Sequence, residues 1–252
     1  MILRRVVQHL RHQHWTAVAI ELVIVVAGVF IGLQVNNWNE DRRDRVRGLA
    51  YLQGIAADLD ETVASIEKSI GYSQDRIGFD ELLIKAATDP GLVRAEPGRF
   101  LFAVTRGGYT HSPSIRGDTF ETIKSTGSLG TIRDQKLVRD LMKFYATVQG
   151  QSQWSTFRAF CQSEYVKRSA GILTAKQLML APSESGAIPP ADVEEAMDAY
   201  RRMIARPEFI DWLPLTLFNR STDVRYANQW LADAKSLRAR ILAIAGDRPA
   251  GE

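Results

Sequence analysis

The run from Trp15 to Val35 constrains this chain more than any other stretch, because its only charged residue is Glu21. An α-helix needs about 20 apolar residues to cross a hydrocarbon core of about 30 Å, and this run supplies them. Trp15 and Trp38 bracket it. They stand about 35 Å apart along a helix, where indole rings would mark the two interfaces of a bilayer. Arg4, Arg5 and Arg11 precede the run; Asn36, Asn37, Asn39 and Glu40 follow it at once. A single-span anchor is therefore expected, with the remainder of the chain on one side. A cleaved signal peptide fits less well, since the apolar run is too long and no small-x-small site precedes Asn36.

Orientation is nearly balanced. Arg4, Arg5, Arg11 and the α-amino group face Arg42, Arg43, Arg45 and Arg47 across the span, so the positive-inside count comes close to a tie. A short tail leading straight into a span, with the bulk downstream, suits a cytoplasmic N-terminus. Within the span, Gly28 and Gly32 form a G-x-x-x-G pair. At about 100° per residue both fall within about 20° of Glu21 around the helix axis. Small residues let helices approach closely and an acid in lipid faces a protein partner, so Glu21, Gly28 and Gly32 mark a candidate interface. It would serve a homo-oligomer or another membrane protein. The bland alternative is a glutamate that stays protonated or reaches the near headgroups.

Beyond the anchor, 252 residues leave room for one domain of about 200. The net charge of +3 comes from arginines spread along the chain, without the long basic block that tracks nucleic acid. The single cysteine, Cys161, can form no intramolecular disulfide; Phe157, Phe160 and Tyr165 around it suggest packing.

Val46, Leu49, Leu52, Ile55, Leu59, Val63, Ile66 and Ile70 recur at three- and four-residue steps. One helix is expected to run out of the membrane to about Ala87, where Asp89-Pro90-Gly91 ends it. It would be a stalk from Asn36 to Ala87 as well as a bundle member. A short amphipathic stretch, Phe100 to Val104, stops at Gly107-Gly108, and Tyr109 to Gly117 is the longest loop. Asp118 and Glu121 have capping-box spacing, with Gly127 as the left-handed end of that helix. Asp134 can cap a helix reaching Ser169, with Leu137, Leu141, Phe144, Tyr145, Val148, Phe157 and Phe160 on or near its apolar side. Ala181 to Pro190 reads as a linker, and Pro190 can open a helix through Met203. The last helix starts at about Pro207, with Pro214 either kinking it or marking its start, and carries Leu217, Val224, Ala227, Leu231, Ala234, Leu237, Ile241 and Ile244.

No segment alternates with period two over a useful length. The expected fold is all-α: one N-terminal transmembrane helix continuing into a long helix of an antiparallel bundle. The expected divisions are a tail over 1–14, the span over 15–38, the bundle over 39–245 and a flexible tail over 246–252.

The run Glu21-Leu-Val-Ile-Val-Val-Ala-Gly-Val-Phe-Ile-Gly-Leu-Gln-Val-Asn-Asn-Trp-Asn-Glu40 resembles the anchor of a family of uncharacterised bacterial single-span proteins. Its members have a glutamate-led span closing in L-Q-[IV]-N-N-W-N-E. A second likeness is Phe120-Glu-Thr-Ile-Lys-Ser-Thr-Gly-Ser-Leu-Gly-Thr-Ile-Arg-Asp134 to that family's aromatic-x-x-L-K-S-S-G-x-L-x-x-I segment. The resemblance implies a bacterial inner-membrane address and a helical shape, but no reaction. It also implies that Glu21, Asn36, Asn37, Trp38 and Asn39 belong to a recurring device at the membrane. Asn amides beside Trp38 could bond headgroups or a partner's backbone, or act with Trp15 as a plain interfacial anchor.

Catalytic signals are sparse. His9, His12 and His14 have a spacing able to gather a metal ion, though such residues more often solvate a juxtamembrane turn. Lys124-Ser125-Thr126-Gly127 lacks the preceding glycines and strand of a phosphate loop and reads as a helix with a glycine cap. Asp58 with Glu61, and Glu194 with Asp198, fit charged helix faces. The loop brings together Tyr109, His111 and Arg116, with Ser112 and Ser114 nearby, and is the one candidate site outside the membrane. No acid partner for His111 and no nucleophile elbow is present. The expectation is a non-enzymatic protein- or ligand-interaction module without cofactor or metal. Its alternatives are an accessory subunit of a membrane complex and an enzyme built on the 109–117 loop.

Overall fold

The computed structural model describes residues 15–150, 152–179, 188 and 190–246. The tail bearing Arg4, Arg5, His9, Arg11, His12 and His14, most of the expected linker and the residues after Gly246 lie outside them, as does the side chain of Trp15.

The described chain is all-α, without strands. Helix α1, Trp15–Ala86, is a single element of 72 residues, on the order of 110 Å long. Short helices α2 (Pro90–Ala95) and α3 (Pro97–Arg106) follow, then an extended strap and α4 (Asp118–Ser125). A 3-10 turn, Ser128–Thr131, leads to α5 (Gln135–Gln149) and α6 (Ser152–Ser169). The rest comprises α7 (Ala175–Met179), α8 (Val193–Ile204), α9 (Pro207–Ile210) and α10 (Leu213–Gly246).

α1 and α10 form the antiparallel spine. Arg220 meets Asp80, Lys235 meets Glu67 and Arg238 meets Asp60, so α10 descends as α1 ascends. Ile244 ends up beside Gly48 and Leu49, which brings the end of α10 to the level where α1 joins the bundle. Below Gly48, from Ile20 to Arg47, every residue of α1 is exposed. The exposed stretch of α1 between Asn36 and Arg47 is thus about 18 Å, much shorter than the stalk expected to reach Ala87. Val46, expected on the apolar face, is 63% exposed for the same reason.

Two apolar cores are stacked along the spine. The lower joins Leu52, Ile55, Leu59 and Ile66 of α1 with Phe120, Leu137, Leu141 and Phe144, and with Trp230, Ala234 and Ile241 of α10. The upper joins Leu83 and Ala86 with Phe100, Val104, Tyr165, Met203 and Phe209. Tyr165 lies against the backbone of Gly107 and Gly108, where a Cβ would collide with its ring. Its hydroxyl donates toward the carbonyls of Ala103 (3.3 Å) and Val104 (3.1 Å). Glycine fits both positions because a side chain there would meet the Tyr165 ring.

Local endings explain several departures from the expected elements. Asp89 caps α2 through the Gly91 amide and Asp134 caps α5 through the Leu137 amide, both at 2.9 Å. Gly127 adopts the expected left-handed conformation, φ 70°. The capping box at Asp118 does not form. Gly117 occupies the cap position, and Asp58 of α1 reaches across to accept from the Thr119 amide at 3.0 Å. The expected helix over 134–169 is broken after Gln149, and Phe157 and Phe160 are 39% and 54% exposed. Asp192, two residues beyond Pro190, caps α8 through the amides of Glu194 and Glu195. Pro214 lies in the first turn of α10, so it marks that helix's start rather than a kink.

Candidate functional site

Between the two cores the spine turns polar. Asp80 and Arg220 are fully or nearly buried there, 0% and 4% exposed, and meet at 3.1 Å. Arg220 Nη1 also donates to the carbonyl of Arg76 at 3.2 Å. Burial pushes the Asp80 carboxyl up to about 7, against the opposing pull of the Arg220 charge and the Thr216 hydroxyl. Burial likewise lowers Arg220, with Asp80, Tyr165 and Asp223 opposing it.

A cavity of about 350 Å³ opens beside this pair, between α5, α6, α10 and the start of the strap. Ala146, Phe157, Tyr226 and Trp230 give it apolar wall; Thr110, Thr216, Asn219 and Thr222 add polar points. Its firmest polar feature is Arg158 on Asp223. Arg158 Nε donates to both carboxylate oxygens at 3.2 and 3.1 Å, and Nη2 to one at 2.9 Å. Two parallel donors make this planar pairing specific as well as strong. Arg158 Nη1 reaches the Ser112 hydroxyl at 3.4 Å, tying α6 to the strap. Cys161 lines the same cavity and accepts from Asn219 Nδ2 at 3.5 Å. Burial raises its thiol, the reverse of what an activated nucleophile needs. A mainly apolar cavity with a few fixed polar groups between bundle helices suits a small organic ligand.

The strap over 109–117 lies along α1. Ser69 Oγ donates to the His111 carbonyl at 2.9 Å, and Ser65 Oγ accepts from the Ser114 amide at 2.8 Å. Thr62 Oγ1 accepts from the Arg116 amide at 3.0 Å. An extended segment outside a sheet must find partners for its backbone. Here hydroxyls at helical spacing provide them.

The strap therefore spreads its three candidate residues apart. Tyr109 packs under the guanidinium of Arg106, 5.6 Å from the ring centre. His111 meets Tyr72, with ring centres 5.1 Å apart. Arg116 instead pairs with Glu61 at 2.7 Å and Asp118 at 3.3 Å, so it does not join His111 in a site. No family model matches this chain, and neither the curated proteins nor the solved structures give a match.

Among the described residues, α1 is the one helix long and apolar enough to cross a membrane. Glu21 lies on its exposed part, and a Cβ at Gly28 or Gly32 would meet open space. Trp38 is 66% exposed. Asn37 and Asn39 are exposed, and Asn36 Nδ2 donates to Glu40 one turn on, at 3.0 Å. The carboxylates read from spacing are also placed: Asp58 caps α4, Glu61 holds Arg116, and Glu194 and Asp198 flank Arg201.

Sequence reasoning did not find the Arg158–Asp223 pair or the cavity around it. The available signal was in α10, where Thr216, Arg220 and Asp223 interrupt a stripe running through Leu213, Ala227, Trp230 and Ala234. Polar residues in a buried stripe are more informative than apolar ones.

Proposed function

We propose that this chain is a single-pass, membrane-anchored interaction module of bacterial inner-membrane type. Its bundle takes a small organic ligand in the cavity beside Arg158 and Asp223, and the N-terminus is cytoplasmic. The observation that carries this reading is the continuity of α1. One helix contains both the exposed apolar run and the buried Asp80 of the polar waist. A change in packing at the waist therefore acts on the element that enters the bilayer. The resemblance through Glu21–Glu40 is part of the same proposal. The role is non-enzymatic: the cavity's thiol is raised, and the strap's histidine and arginine are separated.

Membrane extraction and topology reporters test it together. The full chain should resist alkaline washing of membranes and dissolve in detergent. A C-terminal reporter active only in the periplasm should signal, while a cytoplasmic one stays silent. Release by alkali would overturn the anchor, and a cytoplasmic signal the orientation. Ligand occupancy should slow thiol labelling of Cys161 in the full chain; a small-molecule screen that never does so would remove the ligand role.

A second reading, an accessory subunit of a membrane complex, is favoured by Gly28 and Gly32, whose faces lie open beside Glu21's position on the same helix. Glu21→Leu and Gly28→Ile should then weaken association in membranes. Unchanged association in both would end that reading.

A further inference from the structure

The waist has a second opening, a groove of about 1010 Å³ bounded by α1, α3, the strap and Ile188. Four cations line it: Lys68, Arg76, Arg99 and Arg106. Two carboxylates, Asp75 and Glu96, also face it. Glu96 is already engaged by Arg99 at 2.9 Å.

Three of the four lie over aromatic rings. Arg76 lies 5.4 Å and Lys68 5.8 Å from the Tyr72 ring centre. Arg106 lies 6.0 Å from Phe102 and 5.6 Å from Tyr109. A guanidinium stacked on a ring keeps its edge N–H donors for an acceptor in its own plane. Arg76 Nη1 already donates to the Tyr72 carbonyl at 2.9 Å, and the Nε atoms of Arg76 and Arg106 are buried without a hydrogen-bond partner among the described residues. A buried donor left unpaired costs free energy, and like charges in one cleft add to that cost. Burial, then the charges of Arg220 and Arg106, hold the Arg76 guanidinium below its ordinary range. Burial, then Arg76 and Lys68, lower the His111 imidazole at the same groove.

We infer that this groove is a binding site for a small soluble molecule carrying two or more oxyanion groups, phosphate or carboxylate, which Arg76 receives through Nη2 and Arg106 through its two Nη groups. Tyr72 and Phe102 would contact an apolar part of the ligand, and Lys68 would close over its outer charge. Distance favours a soluble ligand over lipid headgroups. Arg76 lies about 60 Å along α1 from Val35, where the apolar run ends. A nucleic-acid track would need a longer basic surface than one cleft. The site is separate from the Arg158–Asp223 cavity but linked to it, since Arg220 lines that cavity and donates to the Arg76 carbonyl. The groove itself does not depend on the membrane proposal; only the choice of a soluble ligand over lipid headgroups rests on it.

Titration calorimetry on the full chain in neutral detergent tests this, using pyrophosphate and citrate with chloride of matched ionic strength as control. Saturable binding of either ligand is expected. Pyrophosphate alone would indicate a phosphate-bearing ligand and citrate alone a carboxylate-bearing one. Arg106→Gln should weaken binding about tenfold or more, as expected for loss of a charge-assisted contact. Lys68→Gln, at an exposed position, should weaken it less and leaves the core untouched. Thermal unfolding of each variant without ligand checks that it is folded. No saturable heat with either anion, or equal affinity in both variants and the parent chain, would overturn the inference.

Discussion

Asp80 and Arg220 meet at 3.1 Å in the one layer where the two apolar cores are separated, and burial leaves the carboxyl near 7 despite its cationic neighbour. The unfolded value is about 4, so between about 4 and 7 the folded chain holds the extra proton. This group's contribution to stability is therefore present at low pH and is lost as pH rises through about 7. Arg220→Met should cost about 1–3 kcal/mol at neutral pH, because the carboxyl, already near 7 beside its cation, takes up a proton without it and is left as an unpaired buried polar group rather than a buried charge. The penalty of Asp80→Asn should shrink as pH rises from 5 to 8, since only the parent chain loses stability over that window. Asp80→Leu with Arg220→Met should match or exceed the parent, because the pair's desolvation disappears with it. Denaturant unfolding at several pH values measures all three. A double variant as weak as the worse single would show that the pair stabilises the fold outright.

The strap depends on three hydroxyls of α1 that no apolar residue can replace. Thr62→Val keeps the shape of the side chain and removes the acceptor for the Arg116 amide. Ser65→Ala and Ser69→Ala remove the other two contacts. Each should cost about 1 kcal/mol. The triple variant should let trypsin cut after Arg116 in the native state, while the helices stay folded. Limited proteolysis followed by mass measurement reads this directly, and a strap that stays uncut would mean that its side chains hold it.

Tyr145 sits stacked on Phe120, with ring centres 4.6 Å apart, yet its buried hydroxyl has no partner among the described residues. Burial, then the charges of Asp58 and Asp118, drive its ionisation far above the usual range. Tyr145→Phe keeps the stack and removes an unsatisfied polar atom. It should leave stability unchanged or raise it by about 1 kcal/mol, read as the unfolding midpoint in urea. A loss of that size would reveal a bond from the hydroxyl.

The fold was legible where one rule governed a whole element. The apolar spacing from Leu52 to Ile70 gave the long helix, and Asp89, Gly127 and Asp134 punctuated the chain as their chemistry requires. It was less legible where a distant residue supplied the local rule. Asp118 has capping spacing, but Asp58 from α1 takes the role, and no window around α4 contains that information. The site was harder still. His111 and Arg116 are close in sequence, but an extended strap carries them to different neighbours. Arg158 and Asp223 are 65 positions apart and each resembles a solvated helix charge until the two helices pack.

The same pair gives the last prediction. Arg158 and Asp223 are 14% and 24% exposed at their side chains, so the bidentate contact works partly out of water. It ties α6 to α10 beside Cys161, which is 7% exposed. Asp223→Asn removes the charge and one of the two acceptor oxygens while preserving volume. α6 should then open more often, and labelling of Cys161 by a small thiol reagent should speed up several-fold. Because sub-global opening is governed by local contacts, the global unfolding midpoint should move much less than the labelling rate. Labelling that accelerates only in proportion to lost global stability would mean that the pair is one contact among many; an unchanged rate would mean that the α6–α10 contact is held by its apolar residues instead.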